Sequence, residues 1–248
     1  LRRRLAAETQ WTEEGARALI TDGYMIPHDP LKDLIVYAWT AYGAEYEHAA
    51  EVEEMVEALR DWNGMPDLES SAPTLFLVWL FYWADTTFIP VDLLKLAPAD
   101  VTPEMGAAML RALYDARQMI EGVAGMALVP WGIIHVIHKG GEIYPVHTGQ
   151  YPAISLMNGN LDPTTVESFD DFNCTVGSAY TFLNVMEEPI RTYSVHVIGQ
   201  TDRTDLPYAT AQTSLFAGRE LKPLPFTDAE IAEHTASTRV LEVPAAAE

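Results

Sequence analysis

The sequence predicts an α+β protein whose sheet this chain does not complete by itself. Three observations predict it: a first half of helical periods separated by proline and glycine, a β-hairpin pattern across 177–198, and one further strand pattern at 239–243. Two adjacent strands and one distant strand are too few to cover the apolar faces of five helices, so strands from another segment are expected to finish the sheet. By character the chain divides into a helical region at 1–129, a long ordered loop region at 130–172, and late strands and helices at 173–248.

Thr12 is placed to cap a helix whose first turn carries Glu13 and Glu14 and whose inner face carries Ala16, Leu19 and Ile20. Pro27 and Pro30 close that unit. A second helix is predicted over 31–42, and a third from the spacing of Val52, Met55, Val56 and Leu59, ended by Asn63-Gly64. Ser70 and Ser71 introduce an apolar helix through 75–84. Thr102 as cap and Pro103 in the first turn open a long helix with Met105, Met109, Ala112, Leu113, Ala116 and Ile120 facing inward, and it stops near Gly122 and Gly125.

From Pro130 to about residue 172, glycine, proline, asparagine and tyrosine break every helical period, which predicts loop or short strands. A loop of that length serves a function or packs against another segment. The runs 177–185 and 190–198 are rich in aromatic and β-branched residues, and the short Glu187-Glu188-Pro189 link makes them a hairpin. Beyond it, 205–218 holds a short helix ending at Gly218, and Thr227 caps another over 228–234. No internal repeat is present.

Composition narrows the function classes. Hydrophobic residues fill 48% of 248 positions, enough for a buried core. Thirty-six acidic residues against fifteen basic ones give a formal charge of -21, which repels a phosphate backbone and removes nucleic acid from the expected partners. The longest apolar run, 75–84, is about half of what a spanning helix requires, so no membrane span is expected. Cys174 is the single cysteine, which excludes an internal disulfide and leaves the compartment open. The start Leu1-Arg2-Arg3-Arg4, with neither methionine nor an apolar leader, reads as a cut or processed end.

Few residues offer chemistry. No Gly-x-Ser-x-Gly occurs, and Ser178, between Gly177 and Ala179 at a strand start, reads as a structural hydroxyl. Cys174 is a nucleophile only if a histidine and an orienting group stand beside it, and otherwise a small buried residue. His135, His138 and His147 have the one metal-like spacing, for zinc. Their flanks Ile133, Ile134, Val136 and Ile137 form a strand pattern, in which positions three apart face opposite sides. The acidic runs Glu51-Val52-Glu53-Glu54 and Asp170-Asp171 read as solvated, and Trp79, Phe81, Tyr82 and Trp83 as core or the wall of an acyl pocket.

A family resemblance adds to this. Gly177-Ser178-Ala179-Tyr180, then Ile198-Gly199-Gln200-Thr201, Pro207-Tyr208, Gln212, Leu215-Phe216-Ala217-Gly218 and Lys222-Pro223-Leu224-Pro225-Phe226-Thr227 together resemble the C-terminus of penicillin acylase (penicillin amidase) family β-subunits. The stretch from Glu230-Ile231 to Val243 is similar to that family's closing helix and strand. Upstream, Asp61-Trp62-Asn63-Gly64, Ser71-Ala72-Pro73-Thr74-Leu75-Phe76 with Trp79, and Trp131-Gly132 with His135 resemble further family elements. The resemblance spans nearly the whole chain and is strongest to the branch of acyl-homoserine-lactone, cephalosporin and aculeacin acylases. Asn63 stands where the family has aspartate, Asp205-Leu206-Pro207-Tyr208 where it has serine-proline-histidine-tyrosine, and Ala211 where it has the aspartate before glutamine.

What the resemblance implies is an αββα sandwich of the N-terminal nucleophile class, formed when a precursor cuts itself and exposes a serine that serves as nucleophile and, through its α-amine, as base. Such an enzyme splits the amide of a small N-acylated substrate. The resemblance puts the catalytic residues, and any calcium ligands of the complete enzyme, upstream, so no catalytic or metal-ligating residue is expected in this chain. Its expected partners are the remaining acylase segments, the α-subunit and the N-terminal part of the β-subunit, and its expected location is periplasmic or secreted. Two rival readings remain: a binding or scaffold module on the acylase framework, and a zinc hydrolase using His135, His138 and His147.

Overall fold

The computed structural model describes residues 2–84, 92–150, 153–159, 165–168, 171–201 and 203–240. Six helices come first: α1 (Arg2–Ala7), α2 (Glu13–Ile20), α3 (His28–Tyr42), α4 (Ala49–Arg60), α5 (Ala72–Ala84) and α6 (Pro103–Ala124). Then follow α7 (Trp131–Ile134), β1 (Val136–Lys139), β2 (Glu142–Pro145), β3 (Met157–Asn158), β4 (Val176–Gly177), β5 (Tyr180–Val185), β6 (Arg191–His196), α8 (Thr213–Ala217), β7 (Lys222–Pro223) and α9 (Asp228–His234). Helices and small antiparallel sheets make an α+β fold with no closed barrel, as the sequence predicts.

Local chemistry sets the helix ends. The Thr12 hydroxyl accepts from the Gly15 N–H at 3.0 Å, and the Thr102 hydroxyl accepts from the Met105 N–H at 3.2 Å. At α9 the cap is reciprocal, because Thr227 takes the Glu230 N–H while the Glu230 carboxylate takes the Thr227 N–H. One boundary differs from expectation. Pro30 lies inside the first turn of α3, where its missing N–H has no intrahelical partner to lose, so the helix starts at His28 and Pro27 is its cap.

The larger core gathers α3, α4, α5 and α6 around Leu34, Ile35, Met55, Leu59, Phe76, Trp79, Met109 and Leu113. α5 carries no charged side chain, so it is enclosed, with the Trp79 indole N–H donating to the Met109 carbonyl at 3.1 Å and Trp83 stacked on Trp79. A second, smaller core joins Ile137, Val146, Met157, Cys174, Val195, Val197 and Phe216. It lies between the β1–β2 hairpin, the β3–β4 pair and β6.

The two parts meet on backbone. A methyl on Gly23 would lie 2.6 Å from the His147 carbonyl oxygen and 2.8 Å from the Gly149 nitrogen, and one on Gly149 would lie 2.3 Å from the Gly23 oxygen. Ser155 N–H donates to the Asp22 carbonyl at 2.8 Å beside this contact.

The main sheet has the order β5-β6-β7, with Phe182 opposite Ser194 and Tyr193 opposite Pro223. Among the described residues its third strand is Lys222–Pro223; of the strand expected at 239–243, residues 239–240 have no regular structure, and 241–243 lie outside the described residues. Proline at both 223 and 225 holds β7 to two residues, too short to leave a strand pattern in the sequence. Similarly, 131–134 is a helical turn, not strand, because the Trp131 and Gly132 N–H groups are taken by the Ser70 and Leu68 carbonyls. β1 begins only at Val136.

Candidate functional site

The densest set of reactive side chains is His135, Cys174 and Thr148, all buried. α7 ends at His135, whose N–H returns to the Trp131 carbonyl, so the two rings stack with centroids 4.0 Å apart. The Trp131 indole N–H donates to the Thr148 carbonyl at 3.2 Å, and the Thr148 hydroxyl lies 3.0 Å from His135 Nε2. The Cys174 N–H donates to the Val136 carbonyl at 2.7 Å, which brings Sγ to 3.4 Å from Nδ1 and 3.7 Å from Nε2.

This is the histidine and orienting group that a cysteine nucleophile needs, yet the geometry and electrostatics work against catalysis. A sulfur almost equidistant from both ring nitrogens lies over the imidazole face, since an approach along one lone pair would leave the other nitrogen much farther away. Trp131 occupies one face and the sulfur the other, which is a packing contact. Burial pushes His135 down to about 3 and Cys174 up to about 12, so imidazole and thiol are both neutral. The cluster packs Trp131 of the larger core, through His135, against Cys174 of the smaller one.

The other candidates are dispersed. His138 is exposed on β1 and its N–H donates to the Asn173 side chain, while His147 is half-buried with its carbonyl accepting from Arg219. Among the described residues no group of three or more histidine, cysteine or carboxylate side chains could hold a metal ion. The zinc set is therefore not brought together. The Ser178 hydroxyl accepts from the Leu156 N–H at 3.4 Å, the structural role expected of it. Asp171 accepts the Glu167 and Ser168 N–H groups in an exposed turn, and Asp170 lies outside the described residues. Glu53 and Glu54 are exposed on α4; Trp79 is core, whereas Tyr82 faces outward.

Two charged contacts escaped sequence reasoning. Glu13 lies between Arg191, at 2.8 Å, and Arg17, at 2.8 Å, which together hold its carboxyl at about 2, and the Arg17 guanidinium lies 3.7 Å from the Tyr193 ring centroid. This clamp fixes α2 to β6. The spacing of Glu13 and Arg17 was visible in sequence, but Arg191 lies 178 positions away. Asp22 is buried, takes the Arg4 guanidinium at 2.6 Å and the Tyr24 N–H at 2.9 Å, and lines a shallow groove of about 210 Å³ with Arg4, Glu8 and Trp11.

The remaining feature is an open surface. Among the described residues β5 pairs with β6 alone, and Tyr180 and Phe182 stand outward from it, stacked on each other and about half exposed. Val176 and Met186 extend this apolar strip. On the neighbouring strand, on the same face, the Thr192 hydroxyl and His196 Nδ1 are buried without a hydrogen-bond partner among the described residues. α2 has an apolar stripe but no buried residue.

Comparison with known proteins gives this surface a context. The penicillin amidase family profile matches residues 1–233. Acyl-homoserine lactone acylase PvdQ of Pseudomonas syringae pv. syringae is 24% identical over 224 residues, which are 81% of this chain and 26% of that protein. The solved structure of thermostable penicillin G acylase from Alcaligenes faecalis superposes with a TM-score of 0.52 at 13% identity, over 98% of this chain and 51% of that one. The chain thus spans about a quarter of the curated relative and half of the solved one. Its fold is that of an N-terminal nucleophile hydrolase, and the match along nearly its full length shows that the chain belongs to the penicillin amidase family, whose members are acylase-type amide hydrolases.

Proposed function

We propose that this chain is the C-terminal, non-catalytic segment of an acylase that splits the amide of a small N-acylated substrate, such as an acyl-homoserine lactone, a β-lactam or a lipopeptide. The nucleophile is an N-terminal serine on a segment outside this chain, freed when the precursor cuts itself. The observation that carries this reading is the open edge of β5 with its exposed Tyr180 and Phe182, in a chain that spans half of the solved relative. A free strand edge with an apolar face accepts another strand, and the occupant we assign is a strand from the preceding acylase segments.

In this reading the chain contributes scaffold. The cores hold the sheet, the Glu13–Arg191 clamp sets α2 against it, and the serine, its α-amine and the oxyanion donors come from the partner segments. Among the described residues no group of three or more histidine, cysteine or carboxylate side chains could hold a metal ion, and no step here is routed through one. We place the enzyme in the periplasm or outside the cell.

The test is mass spectrometry of the natural protein, native and denatured, followed by amide-hydrolysis assays on N-acyl-homoserine lactones and penicillins. The expected result is that the chain occurs with, or within, a polypeptide starting with serine, and that activity follows that terminus. A solitary folded monomer of 27.5 kDa that binds such ligands without cleaving them would overturn the reading in favour of a binding module.

A further inference from the structure

We propose that Asn63 is a site of spontaneous covalent modification, in which the native fold promotes closure of its side chain onto the Gly64 nitrogen, with loss of ammonia and conversion to aspartyl and isoaspartyl forms. Asn63 is exposed at the end of the turn that follows α4, whereas Gly64 is buried. The Asn63 Oδ1 accepts a hydrogen bond from the Met65 N–H at 2.8 Å, which folds the side chain back over the very peptide it must react with. Gly64 adopts a φ of +82°, and a Cβ there would lie 2.7 Å from both His28 Nδ1 and Tyr24 Cε2, so the position is kept for glycine, the residue with no side chain of its own beside the attacking nitrogen. The Gly64 N–H has no hydrogen-bond partner among the described residues, so none must be broken.

The turn is held on both sides. Trp62 Nε1–H donates to the Met65 carbonyl at 2.8 Å, and the Met25 N–H donates to the Gly64 carbonyl at 3.0 Å. Such restraint keeps the reacting atoms together instead of leaving their encounter to chance.

The chemistry needs only water. The Gly64 nitrogen gives up its proton to hydroxide arriving from the exposed Asn63 side of the peptide and bonds to Asn63 Cγ, while the carbonyl electron pair moves onto Oδ1. The Met65 N–H already points at that oxygen and stabilises the charge that develops there. Collapse expels Nδ2, which leaves as ammonia, and a five-membered imide remains. Water then adds to one of the two imide carbonyls. Breaking the bond from Cγ to nitrogen gives aspartate, and breaking the bond from the main-chain carbonyl to nitrogen gives isoaspartate, whose backbone runs through the former side chain.

Asn158-Gly159 supplies an internal comparison with the same dipeptide. Asn158 is fixed in β3, where it pairs with Val176 and its carbonyl accepts the Thr175 N–H at 3.3 Å. The native protein is incubated in heavy-oxygen water at mildly alkaline pH, in buffer and in denaturant, and the peptides containing 63 and 158 are followed by mass. In denaturant both sites should convert at comparable rates. In native buffer Asn63 should convert several-fold faster than Asn158 and take up one heavy oxygen, and an Asn63→Gln variant should take up none at that peptide. Native conversion at Asn63 slower than in denaturant or no faster than at Asn158, or uptake that persists in the Asn63→Gln variant, would overturn the proposal.

Discussion

His135 is neutral because burial strips its ring of water, and this gives the acid response of the protein an identifiable component. In the unfolded chain the imidazole takes up a proton near its ordinary 6.5, whereas in the folded chain it does so only near 3. The unfolded state therefore binds more protons between those values. Its contribution is complete above pH 6.5 and is lost progressively as the pH falls toward 3. Melting temperature measured against pH should begin to fall while carboxylates are still ionised, and a His135→Gln variant should show a smaller early fall, the remainder coming from His28 and His147, which burial also pushes down. Cys174, pushed up to about 12, should resist alkylating reagents in the folded protein at neutral pH and react at once in denaturant. Rapid labelling of the native thiol would contradict its placement in the core.

At the scale of elements, the long α6 depends on its cap. Replacing Thr102 by alanine leaves the Met105 N–H without its acceptor and should cost about 1 kcal/mol in denaturant unfolding. A Gly23→Ala change should cost more, on the order of 2 kcal/mol, because its methyl would meet main-chain atoms that have no rotamer to yield. Three helix starts were legible because each carries its own punctuation: Thr12, Thr102 and Thr227 all cap as their sequence contexts require, whereas α1 carried no such signal. The hairpin of β5 and β6 was legible for a similar local reason, its aromatic and β-branched content. β7 and α7 were not, since both owe their shape to partners far along the chain, Thr192 for the Leu224 N–H after β7 and Ser70 for α7. The contacts of Cys174 with His135 were invisible for the same reason, as 39 positions separate them.

For the whole molecule, the open β5 edge determines how the chain behaves alone. A strand exposing Tyr180 and Phe182 beside unpaired main-chain groups will pair with another copy when its own partner is missing. The isolated chain should therefore associate, and a Phe182→Lys change should keep it dispersed in light scattering while weakening its capture by the partner segments proposed above. Unchanged capture would show that the partner strand docks elsewhere. The charge of -21 opposes this self-association, so added salt should promote it.

The contact between residues 22–23 and 147–149 has a mechanical consequence. Where side chains separate two elements they can rotate to absorb a displacement; here main chain touches main chain with no such cushion. Asp22 holds Arg4 of α1 through its carboxylate and Ser155 through its carbonyl. A push on α1 is thus delivered through Asp22 to the strand that begins two residues beyond Ser155, with little lost on the way. The joint behaves as a weld, and bending between the larger and the smaller core must be sought at some other place in the chain.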